Sequence, residues 1–297
     1  MMPTRCGFVA VVGRPNVGKS TLINSIMGSK ISIVTHKPQT TRHRILAVHT
    51  SGDVQAVFVD TPGLHRKAGK AMNRLMNRAA VNALADADLV LFVSDATHWT
   101  DEDDDVLKRL RSCDAPVIAV LNKIDLVRPK EKLLQTLAAM AKRHDFAEII
   151  PVSARKHDNL ETLLELIPGY LPESPMLFPE DMRTDRSAEF HASEVIREKL
   201  TKLLHQELPY GLTVQIERYE QVDTRLMISA IIWVDRESQK GIVVGKGGNI
   251  LKKVGQSARI ELSRQLGQAV HLELWVKVKE NWSDSEQDLM RLGYESP

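Results

Sequence analysis

Residues 13–20 read GRPNVGKS and follow directly on the apolar run Phe8–Val12. A strand, a turn of the form G-x-x-x-x-G-K-[ST] and a helix start in that order define a phosphate-binding loop. Glycine lets backbone N–H groups approach phosphate oxygens closely, at the positive end of the helix that follows. Gly13, Arg14, Pro15, Asn16, Val17 and Gly18 form the loop here, and Lys19, Ser20 and Thr21 open the helix. Lys19 is placed to reach the outer phosphates of a bound nucleotide, and the Ser20 hydroxyl to ligate Mg²⁺.

The rest of the first half fits that start. Short, continuous, β-branched runs at Ile45–His49, Val54–Val59, Leu89–Ser94, Val117–Leu121 and Ile149–Val152 alternate with amphipathic stretches. The stretches are Lys19–Met27, Lys70–Ala85, Asp103–Arg111, Lys130–His144 and Leu160–Ile167. Strands alternating with helices predict an α/β domain with a mostly parallel, doubly wound sheet. Thr50–Asp53 is a turn signal, so Ile45–His49 and Val54–Val59 are expected as an antiparallel hairpin at one edge.

Three further motifs fall at predicted strand ends. Asp60, Thr61, Pro62 and Gly63, followed by Leu64, close the second hairpin strand. A carboxylate at that edge of a parallel sheet lies beside the phosphate loop, where Asp60 serves the metal ion and Gly63 offers an N–H to a terminal phosphate. Asn122, Lys123 and Asp125 follow Val117–Leu121 in the run NKID. Asp125 can accept hydrogen bonds from N1–H and the 2-amino group of guanine. Adenine lacks both donors and would leave the carboxylate buried and unpaired, which discriminates strongly. Ser153, Ala154 and Arg155 end the next strand and can give backbone N–H groups to the guanine carbonyl.

Pro168 and Gly169 end this pattern, and Pro172, Pro175 and Pro179 mark an extended linker. The expected organisation is a nucleotide domain at 1–172, a linker at 173–190 and a second domain at 191–297. That second domain reads α-β-β-α-α-β: a helix at Ala192–Glu207, strands at Leu212–Arg218 and Leu226–Val234, a helix at Asn249–Leu266 and a strand at Val270–Val278. The tail after Glu280 is polar and is expected to be irregular or a short helix. Net charge is +2 overall. It divides into +5 over residues 1–172 and −3 over the rest, yet Lys240–Arg264 holds six cations against Glu261 alone. Gly245, Lys246, Gly247 and Gly248 lie inside that basic window, as a G-x-x-G loop able to lie against a sugar-phosphate chain. Lys246, Lys252 and Lys253 supply charge, and Ile242, Val243, Val244 and Ile250 are candidates for an apolar floor under bases.

At 297 residues with 43% apolar content the chain is long enough for two packed domains. Its longest apolar stretch, Leu226–Val234, is about half a membrane span and is broken by Ser229. Two isolated cysteines, Cys6 and Cys113, exclude a disulfide framework and fit a reducing cytoplasm.

The phosphate loop, DTPG, NKID and SAR together resemble the translation-factor-like class of small GTPases. With PQTTRHRI at 38–45, FPEDMRTDRS at 178–187, IREKL at 196–200 and IVVGKGGNILKKVGQSAR at 242–259, the whole chain resembles the Era-type GTPases. That resemblance implies GTP and GDP as ligands, Mg²⁺ as cofactor, and Thr41, from the family's TTR motif, as a switch ligand of Mg²⁺. It implies a type II KH domain that binds small-subunit (16S) ribosomal RNA near its 3′ end, and a role in maturation and assembly of the small ribosomal subunit. It also implies peripheral association with the inner membrane; a monomer is expected. Related GTPases hold potassium against the β- and γ-phosphates, and Asn16 is the candidate to hold it here. Leu64 stands where Ras-like enzymes have a water-orienting glutamine, so slow intrinsic hydrolysis is expected and no residue is assigned as a general base.

Two rival readings stay open on the residues alone. One is a P-loop kinase, which NKID and the lack of an Arg-rich lid insertion oppose. The other is a GTPase whose acidic second half binds protein or lipid instead of RNA. The acidic run Asp101–Asp105 is read as a solvated helix start suited to the helix dipole, and Met72 and Met76 as packing residues. His36, His43 and His65 receive no catalytic role, and Cys6 and Cys113 are read as core thiols.

Overall fold

The computed structural model describes residues 4–37, 39–63, 71–204 and 211–294. The first domain is a six-stranded sheet of β1 (Arg5–Val12), β2 (Ile45–Ser51), β3 (Val54–Asp60), β4 (Leu89–Asp95), β5 (Val117–Asn122) and β6 (Glu148–Pro151), in the order β2-β3-β1-β4-β5-β6. Only the β2–β3 pair is antiparallel, the hairpin the turn signal predicts. Alternate residues of each central strand face opposite sides, so two cores form. Val9, Val11, Leu91 and Val93 face one with Leu22 and Ile23, while Ala10, Val12, Val90 and Phe92 face the other with Val106 and Leu107. All seven residues of β4 are buried, which explains the unbroken apolar run Leu89–Val93 before Ser94 and Asp95.

The helices are α1 (Lys19–Met27), α2 (Ala71–Ala85), α3 (Asp101–Leu110), α4 (Lys132–Ala141) and α5 (Leu160–Leu166). β1 has β3 on one side and β4 on the other, and its connection through the phosphate loop leaves at the carboxyl edge. That is the switch point of the sheet, where open α/β folds bind ligands. Met72 and Met76 pack as expected, in a cluster with Trp282, Leu289 and Tyr294.

The second domain is α6 (Ala188–Leu203), β7 (Leu212–Val222), β8 (Arg225–Val234), α7 (Glu237–Val244), α8 (Asn249–Leu266) and β9 (Ala269–Val278), followed by α9 (Glu286–Arg291). Its sheet runs β7-β8-β9, with β8–β9 parallel. Apolar residues of α6 and α8 cover one face, among them Val195, Ile196, Leu200, Val254, Ala258 and Leu262.

Three features differ from the sequence expectations. The proline-rich segment is a strap along the free edge of β2: Arg183 O accepts from Val48 N at 3.0 Å, and Asp185 Oδ1 from Leu46 N at 2.9 Å. Buried Gln55 accepts from Leu177 N and Phe178 N, both at 2.9 Å, and donates to Phe178 O. An edge strand is thereby covered. Second, Asp103 is not solvated: it is fully buried and caps α3 through Thr100. Third, the expected helix at Ala192–Glu207 starts earlier, at Ala188, behind the Ser187 cap, which accepts from Phe190 N; residues 205–207 lie outside the described residues. The tail contains the short helix expected, α9, and it packs inward, with Trp282 fully buried against α2 of the first domain.

The two domains meet along residues 30–44. Lys30 bonds Glu198 at 2.8 Å and also Glu261, Val34 N donates to Glu198 at 3.1 Å, and Arg42 donates to Leu212 O at 2.7 Å. Burial by itself would raise the Glu198 carboxyl, but the Lys30 ammonium and the Val34 N–H hold it down to about 2. Burial pushes His43 down to about 3, so its neutral ring stacks on Tyr294 at 4.4 Å.

Candidate nucleotide site and nucleic-acid face

The phosphate loop is built by packing against its surroundings. A Cβ on Gly13 (φ 153°) would lie 2.3 Å from Val93 O, and one on Gly18 (φ 103°) 2.4 Å from Asn122 Nδ2. Only glycine fits either place. Lys19, almost fully buried, donates to Gly13 O at 2.9 Å and Arg14 O at 3.1 Å. Burial lowers its ammonium to about 8, with Asp60 opposing and Arg14 adding to the shift.

Beside it the three residues expected to serve Mg²⁺ converge. Ser20 Oγ is 2.9 Å from both Thr41 Oγ1 and Asp60 Oδ2, and Thr41 Oγ1 is 3.4 Å from Asp60 Oδ2. Asp60 is fully buried, which raises its carboxyl above the usual range against the pull of Ser32, Lys19, Ser20 and Thr41. The Ser32 hydroxyl faces this carboxylate, and neither it nor Asp60 Oδ1 completes a well-formed hydrogen bond among the described residues. Two hydroxyls and a buried carboxylate with an open oxygen are the hard oxygen donors that suit Mg²⁺ and its waters. Gly63 stands against Pro15, where a Cβ would lie 3.1 Å from the Pro15 nitrogen. Leu64 lies outside the described residues.

Asn122 ties the base end to the phosphate end. Its Nδ2 donates to Val17 O at 2.9 Å, and its Oδ1 accepts from Lys123 N at 2.8 Å and Ala154 N at 3.0 Å. Lys123 Nζ donates to Asn16 O at 2.7 Å and to Asp95 Oδ2 at 2.6 Å. Burial would raise Asp95, yet hydrogen bonds from Lys123 and Thr97 keep it below the usual carboxylate range. Asp125 Oδ1 accepts from Ser153 Oγ at 2.7 Å, which aims the carboxylate. These groups line one cavity of about 550 Å³ that runs from Lys19, Ser20 and Thr41 to Asp125 and Arg155.

Some expected roles change. The Arg14 side chain turns away from the cavity: its Nε donates to Asp103 at 2.9 Å, and an Nη lies 2.9 Å from His98. Within the loop Arg14 contributes its carbonyl and an Nη1–H donated to Pro15 O at 3.4 Å. Thr61 Oγ1 donates to Val11 O at 2.8 Å, a structural bond. The N–H of Ala154 is committed to Asn122 and that of Ser153 to Asp158 O, which leaves Arg155 to offer its N–H to a base. Asn16 is exposed with φ 64°, lines the cavity, and its amide makes no hydrogen bond among the described residues. The sequence reading missed the roles of Asp95 and Asp103, which brace Lys123 and Arg14; at the end of β4 and the start of α3 neither carries a local signal of a partner so far along the chain.

The second site is open. Gly245 ends α7 at φ 75°, and a Cβ there would lie 2.7 Å from Ile250 Cγ1. At Gly247 (φ 61°) and Gly248 (φ 76°) an added Cβ would meet no atom within 4 Å, so their left-handed backbone alone favours glycine. Lys246, Lys252 and Lys253 are exposed and make no hydrogen bond or ion pair among the described residues. Ile242 is exposed beside them. Val243, expected in the groove floor, is fully buried in the domain core instead.

A phosphate loop, a carboxylate-hydroxyl cluster and a guanine-type loop on one sheet edge, joined to an α-β-β-α-α-β module with a G-x-x-G loop, define a P-loop GTPase carrying a KH domain. Residues 8–123 match the 50S ribosome-binding GTPase family and residues 207–283 the KH domain family. GTPase Era of Marinobacter nauticus is 51% identical over 98% of this chain and 95% of its own length. That of Vibrio parahaemolyticus is 49% identical over 97% and 91%. Crystal structures of Era with MgGDPNP and nucleotides 1506–1542 of 16S ribosomal RNA, and of an Aquifex aeolicus Era variant with GDP·AlF4⁻, superpose with TM-scores of 0.94 and 0.92. Both are 40% identical and cover 98% of this chain and 99% of theirs. The chain belongs to the Era GTPase family.

Proposed function

We propose that the chain is a GTP-hydrolysing switch whose KH domain binds small-subunit ribosomal RNA near its 3′ end during maturation and assembly of the small subunit. The observation that carries the nucleotide reading is one cavity with Ser20 and Thr41, backed by Asp60, at one end and Asp125 at the other. The RNA reading is supported by three exposed, unpaired lysines on a G-x-x-G loop and its helix, and by the relative that holds 16S RNA. The working division is a GTPase domain at 1–172, a strap at 173–190 and a KH domain at 191–297.

In hydrolysis a water oxygen bonds to the γ-phosphorus while the bond to the β,γ-bridging oxygen breaks, releasing phosphate and leaving GDP. Lys19 neutralises charge on the outer phosphates, loop N–H groups hold the oxygens, and Asp125 with the Arg155 N–H fixes the base. Mg²⁺, when bound by Ser20, Thr41 and Asp60 through their oxygens and water, supplies charge neutralisation. No residue is assigned as a general base; positioning and charge stabilisation do the work. Asn16 is the proposed potassium ligand, because its free amide stands at the cavity rim. Hydrolysis is then faster in potassium than in sodium at equal ionic strength, and Asn16→Ala abolishes the difference while GTP affinity stays. Equal rates in the two salts return Asn16 to a structural role.

Peripheral association with the inner membrane and a monomeric state are proposed; no described helix is long and apolar enough to cross a membrane. The function is tested by equilibrium binding of GTP and ATP with Mg²⁺, together with crosslinking to an RNA of the small-subunit 3′ end. Equal binding of the two nucleotides contradicts the base assignment, and no RNA crosslink contradicts the KH assignment.

A further inference from the structure

Thr41, which contacts Ser20 and Asp60, follows a carbonyl held by a group of the other domain. Arg197 of α6 donates through Nη2 to the carbonyl of Thr40. The same guanidinium is anchored behind by Glu194, which accepts from Arg197 Nε and Nη2, both at 2.7 Å. Arg197 is 2% exposed and Glu194 is 6% exposed. A planar guanidinium clamped by a carboxylate and shut off from water has one orientation, and the second hydrogen of its Nη2 is aimed at the Thr40 carbonyl. A buried ion pair in itself is weak evidence for stability. The contact across the domain boundary is what separates this pair from an ordinary structural one.

The segment around Thr40 is tied down by the same domain on both sides. Before it, Val34 N donates to Glu198 and Lys37 Nζ to Leu204 O. After it, Arg42 donates to Leu212 O and His43 stacks on Tyr294. Thr35 and Thr40 share a hydroxyl contact at 2.6 Å, which closes the loop on itself.

We propose that Arg197 is a positioning residue of the GTPase site: through the Thr40 carbonyl, the KH domain holds Thr41 in the arrangement that serves the metal and the γ-phosphate. The proposal rests on the GTPase reading above. In switch GTPases the γ-phosphate and its Mg²⁺ order this segment and hydrolysis releases it. A group that pre-orders it favours GTP over GDP, and by linkage a bound GTP analogue tightens the contact of α6 with the switch segment.

The test uses the full chain with two variants. Arg197→Lys keeps a cation beside Glu194 but loses the planar fork. Glu194→Leu with Arg197→Met removes both buried charges together, so neither is left unpaired. For each, affinities for GDP and for a non-hydrolysable GTP analogue are measured, with the Mg²⁺ concentration for half-maximal hydrolysis and kcat and KM for GTP. Arg197→Lys and the double variant should both keep GDP affinity within about 2-fold and weaken the analogue about 10-fold, a typical coupling. Half-saturation by Mg²⁺ should rise and kcat fall. In the wild type, hydrogen exchange in α6 should slow when the analogue binds, and that slowing should be lost in both variants. An unchanged ratio of analogue to GDP affinity in either folded variant overturns the proposal. So does an equal loss of both affinities, which marks a purely structural role. If the wild-type chain neither binds nor hydrolyses GTP, the GTPase reading itself fails, a result separable from either of these.

Discussion

Two glycine-rich loops in this molecule each carry a lysine, and their surroundings are opposite. Lys19 is almost fully buried and bonded to two carbonyls of its own loop, while Lys246 is exposed and without a partner among the described residues. Gly13 and Gly18 are walled in by Val93 and Asn122, whereas Gly247 and Gly248 face open space. The nucleotide loop is shaped by the rest of its domain before any ligand arrives. The KH loop is shaped by its own left-handed dihedrals and leaves the ligand to meet free charge. A pre-built buried site suits discrimination between bases, because a mismatch strands a buried polar group. An open, cationic loop suits a flexible polyanion, whose affinity comes from phosphates and falls with salt.

The largest expected effect is at the base end. Asp125→Asn should lower GTP affinity by about 10³-fold, the scale of losing a charge-assisted, desolvated pair. Xanthosine triphosphate should gain, since its 2-oxo group accepts where guanine donates. Titration with both nucleotides checks this, and an unchanged preference for GTP would break the pre-built side of the comparison.

Next is a matched pair of substitutions. Gly18→Ala puts a methyl 2.4 Å from Asn122 Nδ2, so it must disturb the bond from Asn122 to Val17 and with it both ends of the cavity. About 10²-fold loss of GTP affinity is expected. Gly247→Ala meets no atom within 4 Å and costs only the left-handed dihedral, about 1 kcal/mol of stability. Its GTP affinity should match the wild type. Calorimetric melting and nucleotide titration of the two proteins side by side give the contrast, and similar outcomes would erase it.

A smaller effect concerns the joint. The Glu198 carboxyl sits at about 2 against an ordinary 4.5, held down by Lys30 and Val34 against its burial. A depressed carboxylate contributes fully above pH 4.5, and its contribution is lost as pH falls from 4.5 toward 2. Contact between the domains should therefore loosen on acidification from pH 5 to pH 3, seen as an increased radius of gyration by small-angle scattering. Glu198→Gln should show the looser form already at pH 7 and a flatter profile.

The sites differ in another way: how far each could be read from the chain alone. GRPNVGKS, DTPG, NKID and GKGG are local, because a turn between a strand and a helix restricts a few adjacent residues. The alternation of apolar runs likewise yields the sheet and its edge hairpin, since burial on both faces of β4 and β5 confines their polar residues, Ser94, Asp95 and Asn122, to the carboxyl ends beside the site. What stayed hidden depends on partners far along the chain. Asp103 looks like any acid at a helix start until Arg14, 89 residues away, turns toward it. Gln55 in a strand carries no mark of the strap it binds at Phe178. Val243 and Ile242 are adjacent apolar residues of one helix, and only the packing of α7 against the sheet sends one to the core and leaves the other in solvent. Arg197 is one more helical arginine until its contact with Thr40 is seen.

The central claim is that a closed nucleotide site and an open RNA site work in one chain on different physical principles. The most direct measurement is RNA affinity and GTP affinity on the same preparation of Gly247→Asp. Aspartate tolerates the left-handed backbone better than most residues, and no protein atom lies near the added carbon, so the fold should survive. The carboxylate would face the phosphates that the loop is proposed to admit. The account predicts at least a 10-fold loss of affinity for a 3′-end small-subunit RNA, with GTP binding unchanged and the melting temperature lowered by no more than about 4 °C. Wild-type RNA affinity in the folded variant, or a parallel loss of GTP binding, would contradict it.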